Sequence, residues 1–72
     1  MDNPKLYEEQ KLTLNAIRRR LGLDKMYLYR FVGNYNRIEM MPYKIVIGIA
    51  RLEQIDAEEL YYKMLAYAKK GE

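Results

Sequence analysis

LTLNAIRRRLGLDKMYLYRFVGN, residues 12–34, carries two apolar sets separated by a glycine. Leu14, Ile17 and Leu21 keep helical spacing up to Gly22, and after a break at Leu23 and Asp24 a second apolar set begins with Leu28 and Phe31. The spacing predicts two short helices, one over about 13–21 and one that begins after Asp24 and ends at Gly33. Glycine takes the left-handed backbone conformation that other residues resist, so Gly22 suits the turn. Thr13 and Asp24 carry the side-chain oxygens that cap the two helices.

Outward from this stretch, NYNRIEMM at 34–41 reads as a connection, because Asn34 and Asn36 tolerate turn conformations. Its apolar trio divides: Ile38 is expected in the core, and Met40 and Met41 are kept as contact residues, since methionine suits adaptable interfaces. Pro42 can open a helix over PYKIVIGIARLE, where its missing amide hydrogen costs nothing, although Ile45, Val46, Ile47 and Ile49 also fit a buried strand. As a helix it would be apolar on nearly every face up to Ile49 and so central and buried, with Gly48 permitting a close crossing. Asp56 with Glu59 forms a capping box for a last helix that runs to about Lys70 and stops at Gly71. Its stripe of Ala57, Leu60, Tyr61, Met64, Leu65 and Ala68 is broad, with Tyr62 and Tyr67 beside it. At the other end, residues 1–11 are expected to hold one short helix with Asp2 or Asn3 as cap, Pro4 in the first turn, and Leu6 and Tyr7 facing the core.

The chain of 72 residues makes one small domain, near the size at which a single core is only just sufficient. With neither cysteine nor histidine it lacks disulfides, thiolate ligands, the commonest neutral metal ligand and the usual general base, so neither an enzyme nor a metal or other cofactor is expected. No apolar run approaches the ~18 residues of a membrane span, and the acidic, proline-bearing start does not resemble a signal peptide. A cytoplasmic protein with no membrane partner is the expectation. The formal net charge is +3. Its distribution is uneven: residues 11–44 carry eight basic side chains (Lys11, Arg18, Arg19, Arg20, Lys25, Arg30, Arg37 and Lys44) against Asp24 and Glu39, a balance of +6 that leaves −3 for the flanks. A cationic middle between anionic ends fits a surface that faces phosphates, and equally fits ordinary solvated helix faces.

Leu12, Thr13, Ile17, Leu21, Gly22, Leu28, Phe31, Gly33 and Asn34 fall where the phage repressor and Cro-type (lambda repressor-like) helix-turn-helix family has its framework positions. IARLEQIDAEEL at 49–60 is similar to that family's closing helix, loop and final helix start, so the resemblance spans residues 12–60. It implies an all-α fold, a compact bundle of about five short helices, whose third helix, at about 24–33, enters the DNA major groove. With Pro42, Ala50, Arg51 and Leu52, the family register favours helix over strand at 42–53. Carried over position by position, Lys25, Met26, Tyr29 and Arg30 are the residues that reach DNA, and Arg37 sits on backbone phosphates. Asn34 and Lys44 complete the candidate DNA-binding set. Arg30 can contact guanine bidentately and Lys25 can reach phosphate or guanine, while Met26 and Tyr29 offer a thymine-methyl contact and a phosphate hydrogen bond. Two positions depart from the family: Leu14 stands where many members carry glutamine, and Arg18 where they carry alanine. Arg18 either lays its stem over the core with its head in solvent, or splays the helix pair. The predicted first helix is also shorter than usual.

Two functions follow from these residues. One is a small DNA-binding transcriptional regulator of phage or mobile-element type, a homodimer on a two-fold related double-stranded operator. The other keeps the fold without the DNA function: an antirepressor that binds a repressor protein and blocks its DNA binding, using Met40, Met41, Tyr62 and Tyr67. Eight tyrosines and five methionines favour the second, since both residue types are enriched in protein interfaces.

Overall fold

Thr13 opens the first helix. In the computed structural model, which describes residues 5–32 and 37–70, its hydroxyl accepts the Ala16 amide at 3.1 Å and starts α1, Leu14–Leu21. The helix ends in a left-handed Gly22, φ 70°, where the Leu23 amide donates to the Arg18 carbonyl and the Gly22 amide to that of Arg19. This nested pair is the glycine-terminated cap anticipated for the turn. Asp24 then accepts the Met26 amide at 3.1 Å and opens α2, Lys25–Tyr29. α2 is shorter than the helix predicted over 24–33. Its hydrogen bonds tighten at the end, from Phe31 N to Leu28 O and from Val32 N to Tyr29 O, the three-residue spacing that satisfies a helix's last carbonyls.

A 3-10 turn over Ile38–Met40 precedes α3, Tyr43–Glu53, which begins directly after Pro42. The segment is a helix, and the strand alternative is not taken. It buries one face, Val46, Ile49, Ala50 and Glu53, while Tyr43, Lys44 and Arg51 are exposed and Ile45 and Ile47 half-buried. The expectation of burial on nearly every face is thus corrected, because a domain this small has too few elements to surround one helix. α3 closes on Gln54 in the left-handed region, φ 62°, with the same nested amide pattern as α1. Asp56 accepts the Glu58 and Glu59 amides at 3.1 and 3.4 Å and opens α4, Ala57–Lys70. The Glu59 carboxylate lies 3.8 Å from Lys63.

α4 packs chiefly on α3, which on its other side meets α1. A Cβ on Gly48 would stand 2.9 Å from Leu21 Cδ2, so the end of the Leu21 side chain from α1 packs directly onto this glycine of α3. The core between these elements holds Leu14, Ile17, Leu28, Phe31, Val32, Ile38, Val46, Ile49, Leu60 and Met64, joined by Leu6 and Tyr7 from the first segment. Met41 is also in this core, 5% exposed, so its assignment as a contact residue is corrected: the 3-10 turn rotates Ile38 and Met41 inward together and leaves Met40 outside.

Among the described residues the protein is all-helical, with four α-helices and one 3-10 turn against the five helices expected. The helix predicted within 1–11 is not formed over 5–11, which runs in bends and turns. Side chains there take backbone groups that a helix would need. Gln10 Oε1 accepts the Leu6 amide at 2.6 Å, Gln10 Nε2 donates to the Leu12 carbonyl, and the Glu53 carboxylate takes the amides of Lys11 and Leu12. Such bonds offer the backbone an alternative to the helix. No helix of the described residues is long and apolar enough to cross a membrane.

Candidate nucleic-acid interface

α2 owes its orientation to Leu28, fully buried, with Phe31 and Val32 continuing the inward strip beyond its end. Lys25, Met26 and Arg30 consequently face outward and are exposed, and Tyr29 is half-buried. Met26, Tyr29, Arg30 and Arg37 line one open depression of about 330 Å³. Lys25 Nζ lies 5.6 Å from the Tyr29 ring centroid, so Lys25, Met26, Tyr29, Arg30 and Arg37 share one side of the molecule. Arg30 is held from below: its Cζ lies 5.7 Å from the Tyr27 ring centroid, and Tyr27 stands edge-on against Phe31, centroids 5.5 Å apart and planes at 89°. An exposed cation over a ring is worth about 0.5–1 kcal/mol, enough to bias a flexible guanidinium toward one direction.

The other candidates fall elsewhere. Lys44 is exposed but lines a second depression, about 420 Å³, with Leu21, Leu23, Tyr27, Pro42 and Ile45. Asn34 lies outside the described residues. Arg18 is half-buried with its Nε donating to the exposed Asn15 Oδ1 at 2.9 Å, while Arg19 and Arg20 are exposed. Leu14 is a core side chain. Of the residues considered for protein contacts, Met40 and Tyr62 are exposed, and Tyr67 is half-buried beside Glu8, Glu9, Lys63 and Ala66.

Two contributions escape a reading of the sequence. Tyr27, half-buried against the core, also lies beneath the Arg30 guanidinium. The larger omission is Glu53, the last residue of α3 and wholly buried. Its carboxylate accepts the Tyr7 hydroxyl at 2.5 Å, the Lys11 amide at 2.8 Å and the Leu12 amide at 2.9 Å. Burial works to raise the Glu53 pKa, but the Tyr7 hydroxyl, the two amides and the Lys11 charge outweigh it and hold the carboxyl below its ordinary value. Burial, followed by the carboxylate beside it, pushes the Tyr7 hydroxyl well above the usual tyrosine range. Lys63 extends the cluster, paired with Glu9 at 2.7 Å and lying 5.9 Å from the Tyr7 ring centroid. This cluster ties the segment before α1 to α3 and α4.

The α2 surface combines fixed positive charge, one aromatic ring and one apolar side chain, a set suited to binding an extended anion rather than to moving protons. Among the described residues no group of acidic side chains could hold a metal ion. Compared with family models, with curated protein sequences and with solved structures, the chain matches none.

Proposed function

We propose that the chain is a small DNA-binding transcriptional regulator of the phage repressor and Cro type, with α1 and α2 as its helix-turn-helix and α2 as the helix that enters the major groove. The observation that carries this reading is the two-sidedness of α2: Leu28 is fully buried beneath it, while Lys25, Met26 and Arg30 project outward beside Tyr29 and Arg37. Buried contacts fix the helix, cations anchor phosphates, and Arg30 with Met26 meets base edges. At ~1.5 Å per residue, α2 spans roughly 7.5 Å, about two base-pair steps. One subunit therefore reads very little sequence, which is why a homodimer on a two-fold related operator is part of the proposal. Bound there, it would act by excluding polymerase.

Size-exclusion chromatography with and without a generic duplex at low salt tests the reading. Co-elution with DNA, lost on raising the salt and weakened by Arg30→Ala, is expected, because released counterions make phosphate binding salt-dependent. Elution unchanged by DNA contradicts it. The antirepressor reading rests on the exposure of Met40 and Tyr62, at 71% and 64%, and gains if DNA does not bind and a repressor does.

A further inference from the structure

Met26 lies on α2 and Arg30, four residues on, caps its C-terminus with its backbone still helical, φ −66° and ψ −20°, so both side chains leave the same strip of surface, with Cβ atoms ~5–6 Å apart. Met26 is 75% exposed, a large apolar side chain that the core does not use. Unlike the exposed Met40, Tyr43 and Tyr62, it shares a depression with Arg30, Tyr29 and Arg37. The major groove offers one apolar group, the C5 methyl of thymine, and it offers a guanidinium two acceptors in line on guanine, O6 and N7. Two side chains that converge on one depression reach the same short stretch of groove, where base pairs stack ~3.4 Å apart. The Arg30 fork is steered as well, through the Tyr27 ring that is itself lodged against Phe31.

We infer that Met26 and Arg30 form a paired reader of neighbouring thymine and guanine bases, Met26 covering the thymine methyl and Arg30 bridging guanine O6 and N7, with Tyr27 as the positioning residue for Arg30. This rests on the DNA-binding reading above. It assigns to one strip formed by α2 and its capping residue the whole of the direct readout by one subunit, and leaves Lys25, Tyr29 and Arg37 to the phosphates.

The test uses the full chain and a pool of duplexes with a randomised central segment. Sequences retained by the protein are expected to contain adjacent thymine and guanine in each half-site. In the selected duplex, deoxyuridine in place of that thymine removes only the methyl and should weaken binding about three- to five-fold, the worth of one buried carbon. Met26→Ala should weaken binding to the thymine duplex similarly and erase the difference between the two duplexes. Replacing the guanine by 7-deazaguanine removes N7 alone. Tyr27→Leu should shrink the penalty of that change and Tyr27→Phe should restore it, which a merely structural role for the ring does not predict. A selected sequence without adjacent thymine and guanine, or equal affinity for thymine and deoxyuridine, overturns the inference and leaves the DNA-binding reading standing. Failure to bind or enrich any duplex overturns both.

Discussion

Removing the Glu53 carboxylate probes what holds the first segment against the helical core. The side chain is fully buried at the C-terminal end of α3, where the helix dipole disfavours a negative charge, so its three donors must stabilise it there. Glu53→Ala strands the Tyr7 hydroxyl and the amides of Lys11 and Leu12. Hydrogen bonds to a charged group contribute about 1.5–3 kcal/mol each. The full sum is not realised, because Lys11 is exposed and Leu12 half-buried, and water can reach their amides once the segment shifts. A loss of about 2–4 kcal/mol remains, the cost of leaving one or two buried donors without a partner at about 1–3 kcal/mol each. A 72-residue domain has only about 4–11 kcal/mol in total, so the variant should be close to unfolding at room temperature. Urea titration followed by circular dichroism measures the change. Tyr7→Phe, which removes one of the three bonds and keeps the ring in place, should cost about 1–2 kcal/mol. In a double-mutant cycle with Glu53→Gln, the two changes should be non-additive, as expected for groups in contact. A loss below about 1 kcal/mol for Glu53→Ala would refute the assignment of Glu53 as the anchor of residues 5–12.

The same pair sets the pH limits of stability. The folded Glu53 pKa lies below its ordinary value, so its contribution is complete above the ordinary carboxylate range and is lost as pH falls through the folded value; Glu53→Gln should flatten that acid limb in thermal melts. The folded Tyr7 pKa lies above the ordinary 10.0, so its contribution is complete below pH 10 and is lost as pH rises beyond it, a limb that Tyr7→Phe should remove. The two left-handed helix ends predict opposite signs. Gly22→Ala meets no atom within 4 Å and should still destabilise by about 1 kcal/mol through its backbone alone, whereas Gln54→Gly should stabilise by up to about 1 kcal/mol, both read from urea midpoints.

The helix ends were the most legible part of the chain, because the interactions that set them are local. Thr13, Gly22, Asp24, Pro42 and Asp56 each act within a few residues of where they stand, and each marks a boundary in the structure. Glu53 was illegible for the converse reason: its partners lie 41 to 46 residues away, and within ARLEQ it looks like any solvated glutamate near a helix end. The first segment failed with it, since the bonds that keep residues 5–11 from coiling come largely from that distant carboxylate and from Gln10. Met41 was misjudged because nothing in NYNRIEMM announces the 3-10 turn that carries it inward with Ile38. On the candidate surface, the inward pins Leu28 and Phe31 and the outward Lys25, Met26 and Arg30 follow from helical periodicity. The contact from Arg30 to Tyr27 does not, because it depends on how the ring is seated against Phe31.

Amide chemical-shift mapping of the isotope-labelled protein, titrated with duplex DNA at low salt, shows which face meets DNA. Shifts are expected to concentrate on Lys25–Tyr29, Arg30 and Arg37, with Tyr62 and the Glu9 and Lys63 pair unmoved. Shifts centred on α4, or none anywhere at saturating DNA, would contradict the proposed interface.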